Sequence, residues 1–381
     1  MDFDLTQDQK MIKAMVQDFA DRELEPIAAA IDEEARFPAE SVKRMAELGL
    51  MGLGFPEAYG GAGGGETELV LAVEEISRVC AATATILFVT VGLAGYSLSV
   101  YGSDEQKKRL VPPLARGEKL GAFALTEAAA GSDPAALETT ATRHKNGYLL
   151  NGTKIFISNG READITIVFA TVDRSWRHKG ITAFIVEKGA PGFSVGKLEH
   201  KMGVRATSTT ELLFENCFVP EANRLGREGD GFTIALSIID GSRIAVAAQA
   251  VGIAQGAFNK ALAYAKERQQ FGQPIINFQA IQWMLADMAT QIDAARLLTY
   301  RAAYLKDKGL PFIKEAAMAK VFAAEVSGFV TSKAIQIHGG YGYTRDYPIE
   351  RYFRDAKITE IYEGTSEMQR LTIARHLMRE G

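Results

Sequence analysis

The spacing of apolar residues changes twice along the chain, and the first part has the spacing of helices. A capping-box pattern at Thr6 and Gln9 precedes apolar residues at helical intervals, so a helix is predicted near the start. The same interval recurs at 40–50 and 66–78. These stretches predict an N-terminal helical domain over residues 1–118.

A run without any charged residue, 79–103, lies in this helical region and is long enough to cross a bilayer. It contains several threonines, serines and glycines, and nothing else in the chain supports a spanning arrangement. We therefore interpret it as buried helices and expect no integral membrane segment. The glycine-rich loop at 60–65 does not complete a dinucleotide fingerprint, because Glu66 stands where the third glycine belongs. It is interpreted as a flexible connector.

The middle of the chain, 119–226, has the spacing of strands. The run 147–157 reads as two short strands around Asn151-Gly152, which is the strongest short signal for a hairpin. Further strand patterns follow at short intervals, at 164–172 and 180–187. Closely spaced strands without helices between them predict an antiparallel sheet or barrel rather than a Rossmann unit.

The last part, 227–381, returns to the helical interval. A last helix is predicted to begin near Glu367, because Ser366 and Gln369 form a capping-box pattern. Before it, long stretches without an internal proline, apart from Pro348 at a plausible first turn, predict a helical bundle. These stretches are 232–267, 276–307, 314–337 and 347–361.

The composition is that of a globular protein with length for two or three domains: 381 residues, 47% hydrophobic and 24% charged. A net charge of −4 without a block of Lys or Arg argues against nucleic acid and against an anionic membrane surface as partners. Cys80 and Cys217 lie far apart in apolar surroundings, which favours buried, reduced thiols. The acidic start lacks the basic character of a targeting sequence, so we expect a bacterial-like, cytoplasmic protein.

The search for chemistry leads to carboxylates. No common metal, nucleotide or hydrolase motif is found and the five histidines are scattered, so we expect no metal site. Acid–base chemistry on carboxylates, with an organic cofactor as an option, is what remains for an enzyme. Near the end of the chain, Glu360, Glu363 and Glu367 surround a glycine, and Glu363 falls in the joint before the last helix. A loop between two packed helices can direct a side chain such as that of Glu363 into a cavity. The alternative is that all three carboxylates are solvated.

Four separated stretches carry a family resemblance: "AFALTEAAAGSD" at 122–133, "KIFISNG" at 154–160, "RQQFGQPI" at 268–275 and "QIHGGYGYTRDYPIERYFRDAKITEIYEGTSEMQR" at 336–370. Together they resemble the acyl-CoA dehydrogenase family from end to end, closest in character to its short-chain (butyryl-CoA) members. The resemblance implies an N-terminal all-α domain, a middle antiparallel β-barrel domain and a C-terminal four-helix bundle. It also implies FAD between the β domain and the bundle, and oxidation of an acyl-CoA thioester to the trans-2-enoyl-CoA.

Within that resemblance, Glu363 matches the catalytic base, which removes the α-proton while the β-hydrogen leaves as hydride to the flavin. The developing enolate would accept hydrogen bonds from the Glu363 backbone N–H and from the FAD ribityl 2′-hydroxyl. Burial against acyl chain and flavin should raise the pKa of Glu363 toward the operating pH. Some family members place the base at the position of Ser242, which offers no carboxylate here.

The resemblance also assigns contacts with FAD. Thr126 and Ser158 match residues that hydrogen-bond the isoalloxazine ring, and Phe156 stands where the family often has Trp, with a core strand residue as the alternative. The segment of Arg268 and Phe271 matches a motif that crosses a subunit interface to the neighbour's FAD. The predicted FAD contacts are Phe123, Leu125, Thr126, Gly131, Ser132, Phe156, Ile157, Ser158, Arg268, Gln270, Phe271, Gln279, Gln336, Gly339, Gly340, Thr365 and Glu367.

Several of these assignments have simpler alternatives. The Gly339-Gly340 pair can be an ordinary helix C-terminus, and a phosphate-side contact of Glu367 would bring like charges together. The predicted substrate contacts are Ser132, Asp240, Arg243 and Gly364. For Asp240 and Arg243 the alternative is an i,i+3 ion pair on a solvated helix face, and for Ser132 it is turn chemistry.

The resemblance finally implies substrate and partners. The run 79–103 matches helices that line the acyl pocket and has no Arg or Lys to pair an ω-carboxylate, which favours a neutral, short, straight acyl chain. Branched, medium-chain and alicyclic acyl groups stay open, as does the reverse reaction, reduction of crotonyl-CoA. An electron-transferring flavoprotein and a homotetramer (dimer of dimers) are expected. Rival interpretations are an acyl-CoA oxidase, disfavoured by the compact length, and a non-catalytic paralogue, disfavoured by Glu363 together with the flavin-contact residues.

Overall fold

The N-terminal region is helical and begins with the predicted cap. In this computed structural model, which describes residues 4–379, the Thr6 Oγ1 accepts the Gln9 N–H at 3.2 Å and the Gln9 Oε1 accepts the Thr6 N–H at 3.0 Å. The helices of this region are α1 Gln7–Phe19, α2 Glu25–Glu33, α3 Ala39–Glu47, α4 Glu66–Ser77, α5 Ala81–Phe88, α6 Tyr96–Tyr101 and α7 Asp104–Ala115.

The uncharged run forms one continuous helical segment, as predicted. A wider helical turn, Val89–Gly95, joins α5 to α6, so that the helix extends over 81–101. This segment and Gly231–Glu267 are long and apolar enough to cross a membrane, but 89% and 78% of their most apolar windows are buried inside the protein. Both are core helices of this fold, since neighbouring helices and strands already cover their apolar surface.

The middle region is a mixed β-sheet. Its strands are β1 Gly121–Ala124, β2 Thr140–His144, β3 Gly147–Ser158, β4 Ile165–Thr171, β5 Ile181–Glu187, β6 Phe193–Leu198, β7 Thr209–Pro220 and β8 Arg224–Leu225. They pair in the order β6-β7-β3-β2-β4-β5-β8, with β1 beside β4. Most pairs are antiparallel, as predicted, but β1 with β4 and a single β2–β4 bridge are parallel. The sheet has its own small core, in which the Tyr148 and Phe184 rings lie 4.9 Å apart.

The predicted hairpin at Asn151-Gly152 is wrong. β3 continues through both residues, and the turn from β2 into β3 lies at Lys145-Asn146, where Lys145 has a φ of 51°. The pairing of β3 with β7 changes register between Leu150 and Gly152, so this dipeptide forms an irregularity inside a strand. Gly152 is required there by close approach, because a Cβ would come within 2.4 Å of a threonine hydroxyl on the neighbouring chain segment.

The C-terminal region is a bundle of long helices: α8 Gly231–Glu267, α9 Gln279–Asp307, α10 Ile313–His338, α11 Ile349–Ile358 and α12 Ser366–Leu377. A small hairpin of β9 Gln269–Gln270 and β10 Gln273–Pro274 connects α8 to α9. The predicted helices are confirmed, with α11 ending earlier than the pattern suggested. The predicted capping box of Ser366 and Gln369 is wrong. Thr365 is the N-cap of α12, and its hydroxyl accepts the Met368 N–H at 3.4 Å.

The three regions are joined by a shared apolar core and by buried hydrogen bonds. The main core contains residues of the N-terminal helices, of β4 and β5, and of α8 to α11. At the end of β3, the Asn159 side chain donates to the backbone carbonyls of Ile86 on α5 and Gly121 on β1, at 3.3 and 3.2 Å. At the end of α9, the Asp307 carboxylate accepts backbone N–H groups that begin α4. The segments that carry the predicted site are therefore fixed to one another.

Candidate active site

Glu363 lies in the short loop between α11 and α12, in a backbone conformation that glutamate rarely adopts. Its φ is +53°, and that of Gly364 is +90°. The turn directs the Glu363 side chain toward α8, where its Oε2 accepts a hydrogen bond from the Ser242 Oγ at 2.6 Å. The carboxylate is therefore held against the bundle and is half-buried, as the joint before α12 predicted.

The environment of Glu363 suits a base. Burial raises its pKa above the usual value, while the Ser242 hydrogen bond and the positive charges of Arg243 and Lys320 oppose that rise. Arg243 is itself buried and lies 2.6 Å from Asp240, measured from Nη1 to Oδ1. The predicted Asp240–Arg243 pair thus exists, but on a buried helix face rather than a solvated one.

The backbone around Glu363 is hydrogen-bonded at its carbonyls and free at its N–H. The Gln369 Nε2 donates to the carbonyls of Glu363 and Gly364 at 3.1 and 2.8 Å, and the Lys320 Nζ donates to the Gly364 carbonyl at 2.8 Å. Within residues 4–379, the Glu363 N–H has no acceptor. This N–H is available to a ligand beside the carboxylate.

A buried polar bridge lies next to the catalytic candidate. The Tyr362 hydroxyl donates to the Gln249 Oε1 in a short hydrogen bond. The Gln249 Nε2 donates in turn to the Ala81 carbonyl at 2.9 Å and to the Thr85 hydroxyl at 2.8 Å. The bridge joins the loop of Glu363 to α8 and to the uncharged helix α5, and Gln249 is completely buried.

The sheet brings together the residues predicted to contact the isoalloxazine ring. The Ile155 N–H donates to the Thr126 carbonyl at 2.9 Å, so the loop after β1 lies along the end of β3. Phe156 has a φ of +58°, and 59% of its side chain is exposed, at a point where the β3–β7 register changes. It is therefore not a core residue, and its exposed aromatic face suits a planar ring.

A buried ion pair supports this loop. Lys154 on β3 lies 2.6 Å from Glu127 and also donates to the Leu125 carbonyl at 3.0 Å. Glu127 accepts the backbone N–H groups of Glu138 and Thr139. Burial lowers the Lys154 pKa to about 8, against the opposing effect of Glu127. The pair fixes the backbone around Leu125 next to the strand that carries Phe156.

Other residues predicted in this group have different surroundings. Phe123 packs on Phe169 with ring centroids 4.9 Å apart, and Ile157 is a buried core side chain. Gly131 and Ser132 lie exposed in the loop that follows β1.

The second group of predicted FAD residues lies at the ends of the bundle helices. A cavity of about 500 Å³ is lined by no residue of the large sheet. Its lining includes aromatic and aliphatic side chains, the Asp346 carboxylate, and the predicted residues Arg268, Gln270, Gly339 and Gly340. No atom lies where a Cβ of either glycine would stand, so a ligand can approach their backbone. Phe271, at the tip of the β9–β10 hairpin, is 93% exposed.

The remaining predicted contacts lie on the surface or in structural positions. Gln279 begins α9 and Gln336 is near the end of α10, and both are exposed. Thr365 caps α12, and Glu367 points into solvent. The predicted residues fit the parts of FAD. Arg268 can pair with a pyrophosphate, the glycine backbone allows close approach, and the exposed Phe156 ring can pack on a flavin.

Sequence reasoning missed three residues of this site. Lys320, Gln249 and Gln369 are completely buried and hydrogen-bond the loop of Glu363 or its neighbour Tyr362. A signal was present for the first two, since each is a single long polar residue within an apolar helical run, "AAMAKVFAA" and "AVAAQAVGIA". Such residues are rarely buried without a partner.

Family models match nearly the whole chain. The N-terminal, middle and C-terminal domains of acyl-CoA dehydrogenase match residues 6–118, 122–217 and 229–378. Two curated relatives are 54% identical: a short-chain specific acyl-CoA dehydrogenase of Clostridium acetobutylicum, with 100% of both chains covered, and an acryloyl-CoA reductase (NADH) of Anaerotignum propionicum, with 100% of this chain and 96% of the relative covered.

Solved structures agree with these matches. Butyryl-CoA dehydrogenase from Megasphaera elsdenii has a TM-score of 0.98 and 47% identity, and a chain from a structure described as the electron transferring flavoprotein of Acidaminococcus fermentans has a TM-score of 0.98 and 51% identity. Both comparisons cover 100% of each chain. The fold predicted from the four motifs is confirmed. The chain belongs to the acyl-CoA dehydrogenase family.

Proposed function

We propose that this protein is an FAD-dependent dehydrogenase of short-chain acyl-CoA thioesters, with Glu363 as the acceptor of the α-proton. The observation that carries the proposal is the half-buried Glu363 carboxylate, which a left-handed turn directs to Ser242 on α8. The product is the trans-2-enoyl-CoA. When bound, FAD would supply the acceptor for the β-hydrogen, which leaves as hydride.

The residues of the loop can serve both requirements of α-proton removal. A thioester α-proton is weakly acidic, so the base needs a pKa near the operating pH, and burial raises the pKa of Glu363 in that direction. The negative charge that develops on the thioester oxygen needs a hydrogen-bond donor, and the Glu363 N–H is free to donate. Arg243 and Lys320 add positive charge near the Glu363 carboxylate.

Two groups of residues are proposed to hold FAD. Thr126, Phe156 and Ser158 would contact the isoalloxazine ring, because they share the end of the sheet that faces α5. The cavity with Arg268 and Gly339 would take the pyrophosphate and adenosine of a neighbouring subunit's cofactor. The predicted contacts of Gln279, Gln336, Thr365 and Glu367 stay predictions.

A short acyl chain is favoured by the buried bridge of Tyr362, Gln249 and Thr85. These side chains occupy the space between α5 and α8 next to Glu363, where a longer chain would extend. Breaking the bridge to admit a longer chain would leave buried polar groups unpaired, at a cost of about 1–3 kcal/mol each. The helix 81–101 has no cation that could pair an ω-carboxylate, so a neutral chain is favoured.

The proposed electron partner is an electron-transferring flavoprotein, by similarity to the Acidaminococcus fermentans chain. The relative described as an acryloyl-CoA reductase supports a second direction of the same chemistry, reduction of an enoyl-CoA. A homotetramer is proposed from the family resemblance, and the apolar Phe271 and Trp283 side chains, 93% and 61% exposed in the single chain, support association between subunits. A cytoplasmic location stays a prediction.

Flavin bleaching tests the proposal. Purified protein is expected to carry FAD and to lose its yellow absorbance on anaerobic addition of butyryl-CoA, less readily with octanoyl-CoA or glutaryl-CoA. Glu363→Gln should keep the bound flavin and lose turnover, because the amide cannot accept the proton. Glu360→Gln, three residues away on the same loop, is the matched control and should remain active.

Two results would contradict the proposal. Full activity of Glu363→Gln would remove the role of this carboxylate, and the absence of bleaching by any acyl-CoA would remove the substrate class. Oxygen uptake equal to substrate consumed would instead assign the protein as an acyl-CoA oxidase. Reoxidation by purified electron-transferring flavoprotein tests the partner.

A further inference from the structure

We propose that Lys320 and Gln369 are positioning residues, which hold the Glu363–Gly364 backbone in the left-handed turn that places the base. The inference rests on the proposed function, because it concerns the geometry of the same carboxylate. It adds two side chains, on α10 and α12, that touch neither the thioester nor the flavin in the proposed reaction.

The turn needs external support. Glu363 at φ +53° is in a conformation that costs an L-residue about 1–2 kcal/mol, because Cβ approaches the following carbonyl oxygen. Gly364 continues the turn at φ +90° without that cost. A relaxed loop would move Glu363 out of this region, and its side chain would then leave Ser242. Strain of this kind persists only where surrounding contacts determine the conformation.

Those contacts are supplied by two side chains. The Gln369 Nε2 lies 3.1 Å from the Glu363 carbonyl oxygen and 2.8 Å from that of Gly364, and the Lys320 Nζ lies 2.8 Å from the Gly364 oxygen. Three donor contacts thus converge on two successive carbonyls. Because both acceptors are carbonyls, the Gln369 amide has only one favourable orientation.

The burial of both residues indicates a specific role. Lys320 and Gln369 are completely buried, and Lys320 makes no ion pair within 4.0 Å in the described part of the chain. A buried ammonium is costly, and burial lowers the Lys320 pKa to about 8. The charged groups that face it are Glu363, Arg243 and, farther along the loop, Glu360 and Glu367. An apolar residue would pack here at lower cost if packing were the only requirement.

The two contacts have different consequences. Gln369 fixes the direction of the Glu363 and Gly364 carbonyls and so restricts the backbone that follows the Glu363 Cα. Lys320 does the same at Gly364 and adds a positive charge near the carboxylate, which favours its ionised form. Loss of Gln369 should therefore affect geometry alone, while loss of Lys320 should affect both geometry and the protonation of the base.

The test uses the FAD-loaded enzyme with Lys320→Met and Gln369→Met, which keep side-chain length and helix propensity. Both should lower kcat for butyryl-CoA by about 10- to 100-fold with a smaller change in KM, since misplacement of a catalytic group by about 1 Å costs up to about 100-fold. Only Lys320→Met should also move the acidic limb of the kcat profile to higher pH, because a nearby cation is lost. A merely structural lysine would not move that limb.

Hydrogen exchange supplies a readout that does not depend on turnover. Amides of residues 361–366 should exchange faster in both variants, while the rest of the protein keeps its protection. Lys201→Met is the matched control: Lys201 is half-buried, burial lowers its pKa to about 8, and it donates to a backbone carbonyl, that of Thr207. It should leave kcat, the pH profile and exchange at 361–366 unchanged.

The proposal is overturned if both variants keep kcat within about twofold and unchanged exchange at 361–366. If Lys320→Met does not fold, Gln369→Met alone decides, since its loop exchange either rises or does not. Faster loop exchange in a protein that does not oxidise any acyl-CoA would support the positioning role and refute the proposed function. A failure of the positioning role and a failure of the proposed function would therefore give different results.

Discussion

Ser242 on α8 and Glu363 in the loop before α12 share a hydrogen bond of 2.6 Å between a hydroxyl and a carboxylate. The Ser242 Oγ also lies 3.1 Å from the Ile239 carbonyl oxygen. A hydroxyl has one proton, so it donates to an ionised Glu363 or, when Glu363 is protonated and donates to it, to the Ile239 carbonyl. Ser242 can therefore stay hydrogen-bonded before and after the base accepts a proton.

Ser242→Ala should make Glu363 a base that ionises at higher pH. The serine hydrogen bond lowers the pKa of Glu363 against the effect of burial. Since the base acts when ionised, activity rises as pH passes its pKa, and loss of the bond should move this acidic limb to higher pH. The kcat profile for butyryl-CoA measures the shift. Ser242→Thr keeps the hydroxyl and should stay near wild type; an unmoved limb in Ser242→Ala would refute the role.

Gln249→Ala should widen the range of acyl chains. The substitution removes the centre of the buried bridge between Tyr362 and Thr85 and opens space next to Glu363. We expect kcat/KM for hexanoyl-CoA and octanoyl-CoA to rise relative to that for butyryl-CoA. Tyr362→Phe is the matched control, because it removes a hydroxyl without opening comparable space. Equal chain-length preference in Gln249→Ala and wild type would contradict the proposed pocket boundary.

Lys154→Met should destabilise the protein and loosen the loop of Thr126. It leaves the Glu127 carboxylate buried without its ion-pair partner, at a cost of about 3–5 kcal/mol. Urea unfolding and the rate of flavin release measure the two effects. The double variant Lys154→Met with Glu127→Gln should recover part of the loss, because no unpaired charge remains. A single variant as stable as wild type would show that the pair is not needed.

Phe271→Asp should weaken subunit association and flavin retention together. The ring is 93% exposed at the tip of the β9–β10 hairpin, beside the cavity of Arg268 and Gly339. A charge there would oppose burial against a partner subunit. Sedimentation velocity and the ratio of flavin to protein report the outcome. Met11→Asp, at a site 60% exposed on α1, is the control; an unchanged oligomer in Phe271→Asp would contradict the proposed interface.

The sequence predicted most reliably those features that depend on neighbouring residues along the chain. The periodic helices and the caps of α1 follow from local spacing, and the position of Glu363 in a joint follows from the helix that starts after it. The hairpin predicted at Asn151-Gly152 was wrong because pairing with β7 overrides the local turn preference of this dipeptide. The capping box predicted for Gln369 was wrong for a similar reason. Its side-chain amide donates to carbonyls of the preceding loop instead of bonding to the helix N-terminus.

Long-range contacts account for what local patterns did not predict. The parallel pairing of β1 with β4 joins strands that are separated by β2 and β3. Hydrogen bonds link the loop of Glu363 to Ser242, Lys320 and Gln249, which lie more than forty positions away in the sequence. A single sequence records that these residues are polar in apolar helices, but it does not record which loop they meet.

The helix at 81–101 has a consequence for how the protein is made. Its cover includes α8, and Gln249 on that helix donates to Ala81 and Thr85. During synthesis at about 5–20 residues per second, the uncharged segment leaves the ribosome seconds before α8 exists. For that interval the segment has the cover of α4 and, soon afterwards, of β1 but lacks that of α8, so the packing of this helix is completed only after the C-terminal region has been made.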